Sequence, residues 1–173
     1  MDKVILVNKA GKAIGEEEKI AAHEKGLLHL AFSVLVFNSK NELLLQKRAS
    51  DKYHSGGLWS NTCCSHPHPG EEIMDAAHRR LREEMGFDCE LKEAGQFLYE
   101  KKFNNGLAER EYDHVLIGRY DHDPIINKEE ADAFKWMSLP QIRQDVNQNP
   151  EDYTYWFKEI IKKMLKNPPD LGF

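Results

Sequence analysis

The sequence predicts an α/β fold in which a mixed β-sheet packs against α-helices. Residues 32–37 (FSVLVF) form a nearly continuous apolar run, which is typical of a strand buried on both faces. An amphipathic helix is predicted from about residue 71 to residue 85, with Gly86 at its end. Between the helical regions, Asn104-Asn105-Gly106 joins two strand-like segments and predicts a hairpin.

The other elements follow in chain order. Two short strands are expected, one on each side of residues 32–37, and the segment KAGKAIG is read as a turn after the first. Pro140 is expected to open a short helix. Those two short strands are residues 4–7 and 43–45. The remaining predicted elements are strands 96–103, 107–120 and 134–139, and an amphipathic helix over 153–165.

Composition limits the class of protein. The 173 residues, 40% hydrophobic and 31% charged, predict one globular domain over residues 1–173. A net charge of −5 without a basic block argues against a nucleic-acid partner, and no apolar run approaches the ~20 residues that cross a membrane. Three cysteines and no signal-peptide core predict a cytoplasmic protein with free thiols.

The helix at residues 71–85 carries charges on its apolar side. Arg80 and Glu84 fall within the stripe formed by Ile73, Ala77 and Leu81. They could form an i,i+4 ion pair at the edge of the stripe. Alternatively, they point inward because a charged ligand binds there, since an inward carboxylate without a partner is costly. The sequence leaves both interpretations open.

Three histidines and two glutamates are candidate metal ligands. Glu109 and Glu111 are two residues apart on a predicted strand, so their side chains share a face. His23, His29 and His66 have no compact ligand spacing. Solvent-exposed acids and ordinary surface or core histidines are the commoner explanation of such a pattern. From the residues alone, a metal site is only one interpretation.

The helix ending RRLREEMG, with Glu71 in register, resembles the Nudix signature. That resemblance implies a Nudix-type mixed β-sheet sandwiched between α-helices, and a diphosphate substrate bound through Mg²⁺ held by helix glutamates. Arg80 stands where the hydrolases carry a glutamate, and Ser65 where the motif begins with glycine. The loss of one metal carboxylate argues against hydrolysis.

Three further motifs narrow the resemblance: KIAAHEKGLLHLAFSVLVFN at residues 19–38, LWSNTCCSHP at 58–67 and ERE at 109–111. Together with the helix they resemble the type 1 isopentenyl-diphosphate delta-isomerase family, from about residue 4 to residue 156. The implied reaction turns isopentenyl diphosphate into dimethylallyl diphosphate through a tertiary carbocation, in isoprenoid biosynthesis. The segment HSGGLW departs from the Pro-Gly-x-Trp that is usual in the family.

The resemblance also assigns roles to individual residues. Two groups would transfer protons on opposite faces of the substrate, with a tyrosine assisting them: Cys64, Glu111 and Tyr99. The groups implied to bind the substrate are Lys19, Arg48, Lys52, Arg80 and Trp156. A divalent ion, Mn²⁺ or Mg²⁺ with Zn²⁺ also compatible, would be held by His23, His29, His66, Glu109 and Glu111. A Mg²⁺ ion bridging the two phosphates would bind Glu84.

Two of these assignments depend on local geometry. Adjacent strand residues face opposite ways, so only one of the two cysteines can face the substrate. The resemblance implies that this is Cys64, and Cys63 is then expected to be a small buried residue behind the strand. A cation-rich loop is expected to lower the pKa of the Cys64 thiol. Trp156 could stabilise the carbocation through its ring or merely anchor a C-terminal helix.

Two rival functions remain open. A Nudix hydrolase of a nucleoside or isoprenoid diphosphate would need the glutamate that Arg80 replaces. A non-catalytic metal-binding module would explain the histidines but gives no reason for Cys64. The isomerase hypothesis implies isopentenyl and dimethylallyl diphosphate as partners of a monomer or weak dimer, with no nucleic acid and no membrane.

Overall fold

The computed structural model describes residues 2–166, so both ends of the predicted domain, Met1 and residues 167–173, lie outside the described part. Within residues 2–166 no helix is long and apolar enough to cross a membrane. The helices are Lys19–Lys25 (α1), Ile73–Met85 (α2), Leu139–Gln148 (α3) and Tyr155–Lys166 (α4). The strands are Lys3–Val7 (β1), Ala13–Glu18 (β2), His29–Phe37 (β3), Glu42–Arg48 (β4), Trp59–Ser60 (β5), Cys63–Ser65 (β6), Leu91–Lys102 (β7), Ala108–Arg119 (β8) and Ala131–Ser138 (β9).

Strand β3 is the centre of a mixed sheet. It runs parallel to β8 along its whole length, from the pair His29–Glu111 to the pair Phe37–Arg119. Strands β1, β6 and β4 pair with it antiparallel, and since β8 fills one edge they share the other. The predicted hairpin is formed by β7 and β8. The sheet therefore places β6 and β8 on opposite sides of β3.

The side chains of β3 alternate between two apolar cores. Leu35 and Phe37 pack in a core with residues of α3 and α4, and Val34 and Val36 pack in a core with residues of α2. All four are fully buried, and burying each such side chain contributes about 1.5–3 kcal/mol. The predicted strand buried on both faces is confirmed, and so is the mixed sheet between helices.

Helix α2 begins two residues later than predicted, because Glu72 serves as its N-cap, and it ends where predicted. Gly86 follows it in the left-handed region with φ 73°. A Cβ at this position would lie 2.4 Å from the carbonyl oxygen of Ile125, so only glycine fits.

The sequence analysis missed two elements near the N-terminus. Strand β2 lies at the sheet edge and is mostly exposed, so AIGEEE shows no alternating apolar pattern; the segment that was read as a turn in fact enters this strand. Helix α1 has only seven residues, which is too short for a helical period to stand out. Its position matters because it carries His23.

An ion pair fixes the loop before α2. Arg79 Nε donates to Glu71 Oε1 at 2.7 Å, and Arg79 Nη2 donates to Glu71 Oε2 at 2.8 Å. The His68 amide donates to the same carboxylate at 2.9 Å. The hydrogen bonds from Arg79 lower the pKa of Glu71 from 4.5 to about 2. The loop that follows β6 is therefore anchored to the helix.

Replacing Glu71 by Gln is expected to lower the free energy of unfolding by about 1–2 kcal/mol at neutral pH, after allowance for solvent screening of a partly exposed pair. A carboxyl whose pKa falls on folding contributes stability above its unfolded pKa of 4.5 and loses it as the pH falls towards 2. Urea unfolding of both proteins should therefore show a difference that shrinks between neutral pH and about pH 3. Glu72→Gln, at the exposed neighbour, is the control. A difference independent of pH would contradict this origin.

Candidate active site

One cleft is lined by most of the predicted site residues. Its volume is about 190 Å³, and its walls include every predicted site residue except His23 and His29, which are fully buried. Those wall residues are Lys19, Arg48, Lys52, Cys64, His66, Arg80, Glu84, Tyr99, Glu109, Glu111 and Trp156. The cleft is thus acidic and histidine-rich on one side and cationic on another.

The three predicted histidine ligands converge from different elements. His23 lies on α1, which ends at Gly26 (φ 60°), and His29 is the first residue of β3. Their ring centroids are 4.8 Å apart, and the ring of His66 is 5.0 Å from that of His29. Potential ligand atoms of these histidines and Glu111 all lie within 4.8 Å of one another. Ligands at about 2.1 Å from an ion lie up to about 4.2 Å apart, so the cluster is close to the size of one metal site.

The ring nitrogens are arranged as metal ligands usually are. His23 Nδ1 donates to the Lys19 carbonyl at 2.6 Å and His29 Nδ1 to the Leu27 carbonyl at 2.8 Å. Within residues 2–166 the Nε2 atoms of both rings are buried and have no hydrogen-bond partner. Burial lowers the pKa of His23, and it lowers that of His66 to about 4 against the opposing effect of Glu111. Neutral rings with free lone pairs fit a divalent ion.

The two glutamates are buried and share a tyrosine. Glu109 and Glu111 are 4% and 6% exposed, so the solvent-exposed strand face that the sequence also allowed is wrong. Tyr99 Oη donates to Glu111 Oε2 at 2.6 Å and to Glu109 Oε2 at 3.1 Å. Glu111 Oε1 lies 3.0 Å from His66 Nε2 and 3.5 Å from His29 Nε2.

The electrostatics of the pair are unequal. Burial acts to raise the pKa of Glu111, but the neighbouring His29 and His66 rings hold it well below its usual range. Burial and the charge of Glu111 raise the pKa of Glu109 well above its usual range. The pKa values of the two carboxyls are therefore shifted in opposite directions.

The adjacent cysteines face opposite ways. In the pairing of β6 with β3, Cys64 lies opposite Ser33 and Cys63 opposite Val34. Cys64 lines the cleft, whereas Cys63 is fully buried in the core that contains α2. The expectation that Cys63 is buried behind the strand is confirmed.

The expected lowering of the Cys64 pKa is wrong. Arg48 does approach, since its Nη1 donates to Cys64 Sγ at 3.9 Å. Burial of the thiol outweighs that nearby charge and raises the pKa of Cys64 to about 12. The thiol therefore keeps its proton at neutral pH.

The cationic side of the cleft contains a network of ion pairs. Arg80 contacts Glu84 at 2.9 Å and Glu130 at 3.0 Å, and Lys52 contacts Glu130 at 2.6 Å. Gln46 donates to Glu84 at 2.8 Å. The i,i+4 pair of Arg80 and Glu84 is confirmed. Both residues also line the cleft, and a charged ligand at this place stays a prediction.

Lys19 and Trp156 also line the cleft, and each contacts another residue. The Arg48 guanidinium lies 5.2 Å from the ring centroid of Trp156, and Lys19 Nζ lies 3.2 Å from Asp2. Trp156 is 2% exposed and belongs to the core that contains α4, so its ring both anchors that helix and faces the cleft.

The comparisons with known proteins agree with this geometry. The Nudix domain family model matches residues 27–157. The chain is 52% identical over 164 residues to isopentenyl-diphosphate delta-isomerase 2 of Aromatoleum aromaticum, covering 95% of this chain and 87% of that protein. It is 54% identical over 162 residues to isopentenyl-diphosphate delta-isomerase 2 of Photorhabdus laumondii, covering 93% and 92%. The chain belongs to the isopentenyl-diphosphate delta-isomerase family of Nudix proteins.

A solved structure supports the fold separately. A crystal structure from Deinococcus radiodurans matches with a TM-score of 0.78 at 16% identity, covering 94% of this chain and 98% of that one. Identity this low shows likeness of fold alone. The Nudix fold expected for the delta-isomerase family is confirmed.

Sequence reasoning missed several cleft residues of this delta-isomerase family member, among them Gln46, Tyr53, His54 and Glu130. Gln46 carried a usable signal, because it is a polar residue at the end of the apolar run LLL. His54 lies in the HSGGLW segment that departs from the family pattern. Glu130 carried no signal, since its place beside Arg80 follows from tertiary structure alone.

Proposed function

We propose that this protein converts isopentenyl diphosphate into dimethylallyl diphosphate, the reaction named by its relatives. The observation that carries the proposal is the placement of Cys64 and Glu111. They line one cleft from strands β6 and β8, which lie on opposite sides of β3. Two groups that can exchange protons and that flank a common space are what a double-bond shift requires.

The chemistry needs a proton to arrive on one face of the alkene and another to leave from the other face. Protonation at the terminal carbon gives a tertiary carbocation, and loss of a proton from the neighbouring methylene gives the product. The Cys64 thiol holds a proton at neutral pH, and Glu111 is connected to Tyr99 Oη at 2.6 Å. An alkene is a weak base, so a partly buried site that excludes water favours the transfer.

The rest of the cleft accounts for the remaining parts of the substrate. We assign the diphosphate to the basic groups Lys19, Arg48, Lys52 and Arg80, with Mg²⁺ at Glu84. Glu130 forms ion pairs with Arg80 and Lys52, so the diphosphate would replace this carboxylate. The negative face of the Trp156 ring is suited to a carbocation.

The histidine cluster is assigned to a divalent ion, Mn²⁺ or Mg²⁺ with Zn²⁺ also compatible, held by His23, His29, His66, Glu109 and Glu111. The buried Nε2 atoms of His23 and His29, which lack hydrogen-bond partners among the described residues, support this assignment. When bound, such an ion would neutralise the paired carboxylates and make the Glu111 carboxyl a stronger acid.

Hydrolysis of a nucleoside diphosphate is less well supported. Arg80 occupies a helix position where hydrolysis would use a carboxylate. The cleft, at about 190 Å³, is also smaller than the roughly 300–1,000 Å³ typical of drug-sized ligands. A five-carbon chain on a diphosphate matches this space better than a nucleoside does.

The domain extent, cellular compartment and oligomeric state of the enzyme are also proposed. We infer a single domain over residues 1–173 that acts in the cytoplasm as a monomer or weak dimer, without nucleic acid or membrane partners. The net charge of −5 and the free thiols of Cys63, Cys64 and Cys89 support this inference.

Incubation with isopentenyl diphosphate in D₂O is expected to place deuterium on the carbon skeleton of product and recovered substrate. No phosphate should be released, because no residue is assigned to activate water. Proton and carbon NMR follow the label, and a phosphate assay runs on the same samples, with protein-free buffer as control. Phosphate release that matches or exceeds deuterium uptake would establish the hydrolase instead.

A further inference from the structure

His54 extends the histidine cluster beyond the expected set. It lies in the loop between β4 and β5, and its side chain is 3% exposed. Its Nε2 is 3.1 Å from Glu109 Oε1, and its ring centroid is 5.8 Å from that of His23. Potential ligand atoms of His23, His54 and Glu109 all lie within 4.8 Å of one another. His54 therefore completes a second triad beside the first cluster.

The two groups of candidate ligands share one atom of His23, which argues for one ion and not two. His23 Nδ1 is committed to the Lys19 carbonyl, so only its Nε2 can bind a metal, and one lone pair serves one ion. On the far side, Tyr99 Oη donates to both Glu109 and Glu111 and so joins the two halves again.

We propose that His54 Nε2 is a sixth protein ligand to the divalent ion, an inference that rests on the metal centre assigned under the proposed function. The five ligands assigned there would leave room for a sixth in the six-coordinate shell that is common for Mg²⁺ and Mn²⁺. His54 lies beside Glu109 at the edge of the cluster. Four imidazoles and two carboxylates would then fill the coordination shell. With such a set of ligands, the ion would orient and polarise the glutamates and would not bind the diphosphate.

The surroundings of His54 hold its ring in place. It stacks on Phe103 with centroids 4.9 Å apart and planes 12° from parallel, and the Trp156 ring meets its edge at 5.9 Å. Its Nδ1 lies 3.3 Å from Ser55 Oγ, the outer-shell contact that fixes a metal-binding imidazole. Its buried Nε2 faces Glu109 Oε1 at 3.1 Å, so the two candidate ligand atoms lie side by side.

A fourth imidazole also affects which ion binds. Nitrogen-rich sites favour Zn²⁺ and other transition metals, whereas Mg²⁺ prefers oxygen ligands. His54 therefore biases this centre towards Mn²⁺ or Zn²⁺ and leaves Mg²⁺ to the oxygen ligands at Glu84. The two metal sites of the cleft would be distinguished by their ligand chemistry.

The test measures metal binding without substrate. Metal-free full-length protein is titrated with Mn²⁺ or Zn²⁺ in competition with a chelator. His54→Ala is expected to weaken affinity at least about tenfold, the lower end of what losing even an outer-shell partner costs. His23→Ala should also weaken it, and His122→Ala, at an exposed histidine outside the cleft, should leave it unchanged. Circular dichroism of the metal-free variants checks folding.

X-ray absorption on the Zn²⁺-loaded unmodified protein adds a measurement that needs no variant, and four imidazoles per ion are expected. Three imidazoles, or wild-type affinity in His54→Ala while His23→Ala binds weakly, would overturn the role of His54 and leave the metal centre intact. Unchanged affinity in both variants would overturn both assignments. The deuterium experiment would still decide the isomerase activity independently.

Discussion

Replacing Cys64 by Ala is expected to lower kcat for isomerisation by at least about 10³-fold, since general acid–base groups contribute roughly 10²–10⁴-fold. The alanine side chain cannot carry a proton, and within residues 2–166 no other cysteine lines the cleft. The loss corresponds to about 4 kcal/mol in the barrier. Product formation under saturating substrate, followed by NMR, measures the effect.

Cys63→Ala is the matched control, because it removes the same atom from the next residue on the opposite face of β6. Cys63 is fully buried in the core with α2, so the change should cost about 1 kcal/mol of stability and leave kcat nearly unchanged. Unfolding midpoints separate the two effects. An equal loss of rate in both variants, with normal circular dichroism, would remove Cys64 from the reaction.

The parts of the fold that sequence predicted are those where burial alone decides the pattern. The β3 run packs on both faces, and the α2 stripe ends at a glycine that no other residue can replace. The exposed edge strand β2 and the short helix α1 have no such pattern, so they were missed. Apolar periodicity in the sequence indicates a buried face, and β2 and α1 have few buried residues.

The site was harder to derive because its residues come from separate segments. Motif resemblance predicted the histidines and Cys64, but the loop residue His54 and the ion pair of Glu130 with Arg80 depend on tertiary contacts. The pKa of Cys64 was predicted in the wrong direction because sequence shows nearby charge but not depth of burial. The structure adds the distances between residues and their depth of burial, which the local sequence does not encode.

Glu111→Gln is expected to abolish turnover even when excess Mn²⁺ is supplied, with a loss of at least about 10³-fold in kcat. The amide keeps the shape of the carboxyl but cannot exchange a proton, and it loses the charge that accepts hydrogen bonds from Tyr99 and His66. Bound metal should fall as well, because Glu111 belongs to the histidine cluster. Rates at increasing Mn²⁺, with elemental analysis of the same samples, separate proton transfer from metal retention.

Glu109→Gln is the matched control for this prediction. Glu109 lies on the same strand and face, contacts the same tyrosine and is assigned to the same ion, but no proton transfer is assigned to it. Its variant should bind metal more weakly and recover most of its rate as Mn²⁺ is raised. If Glu111→Gln recovered in the same way, both glutamates would act only by holding the ion. The second proton-transferring group would then have to be another side chain of the cleft, with Tyr99 the first to test.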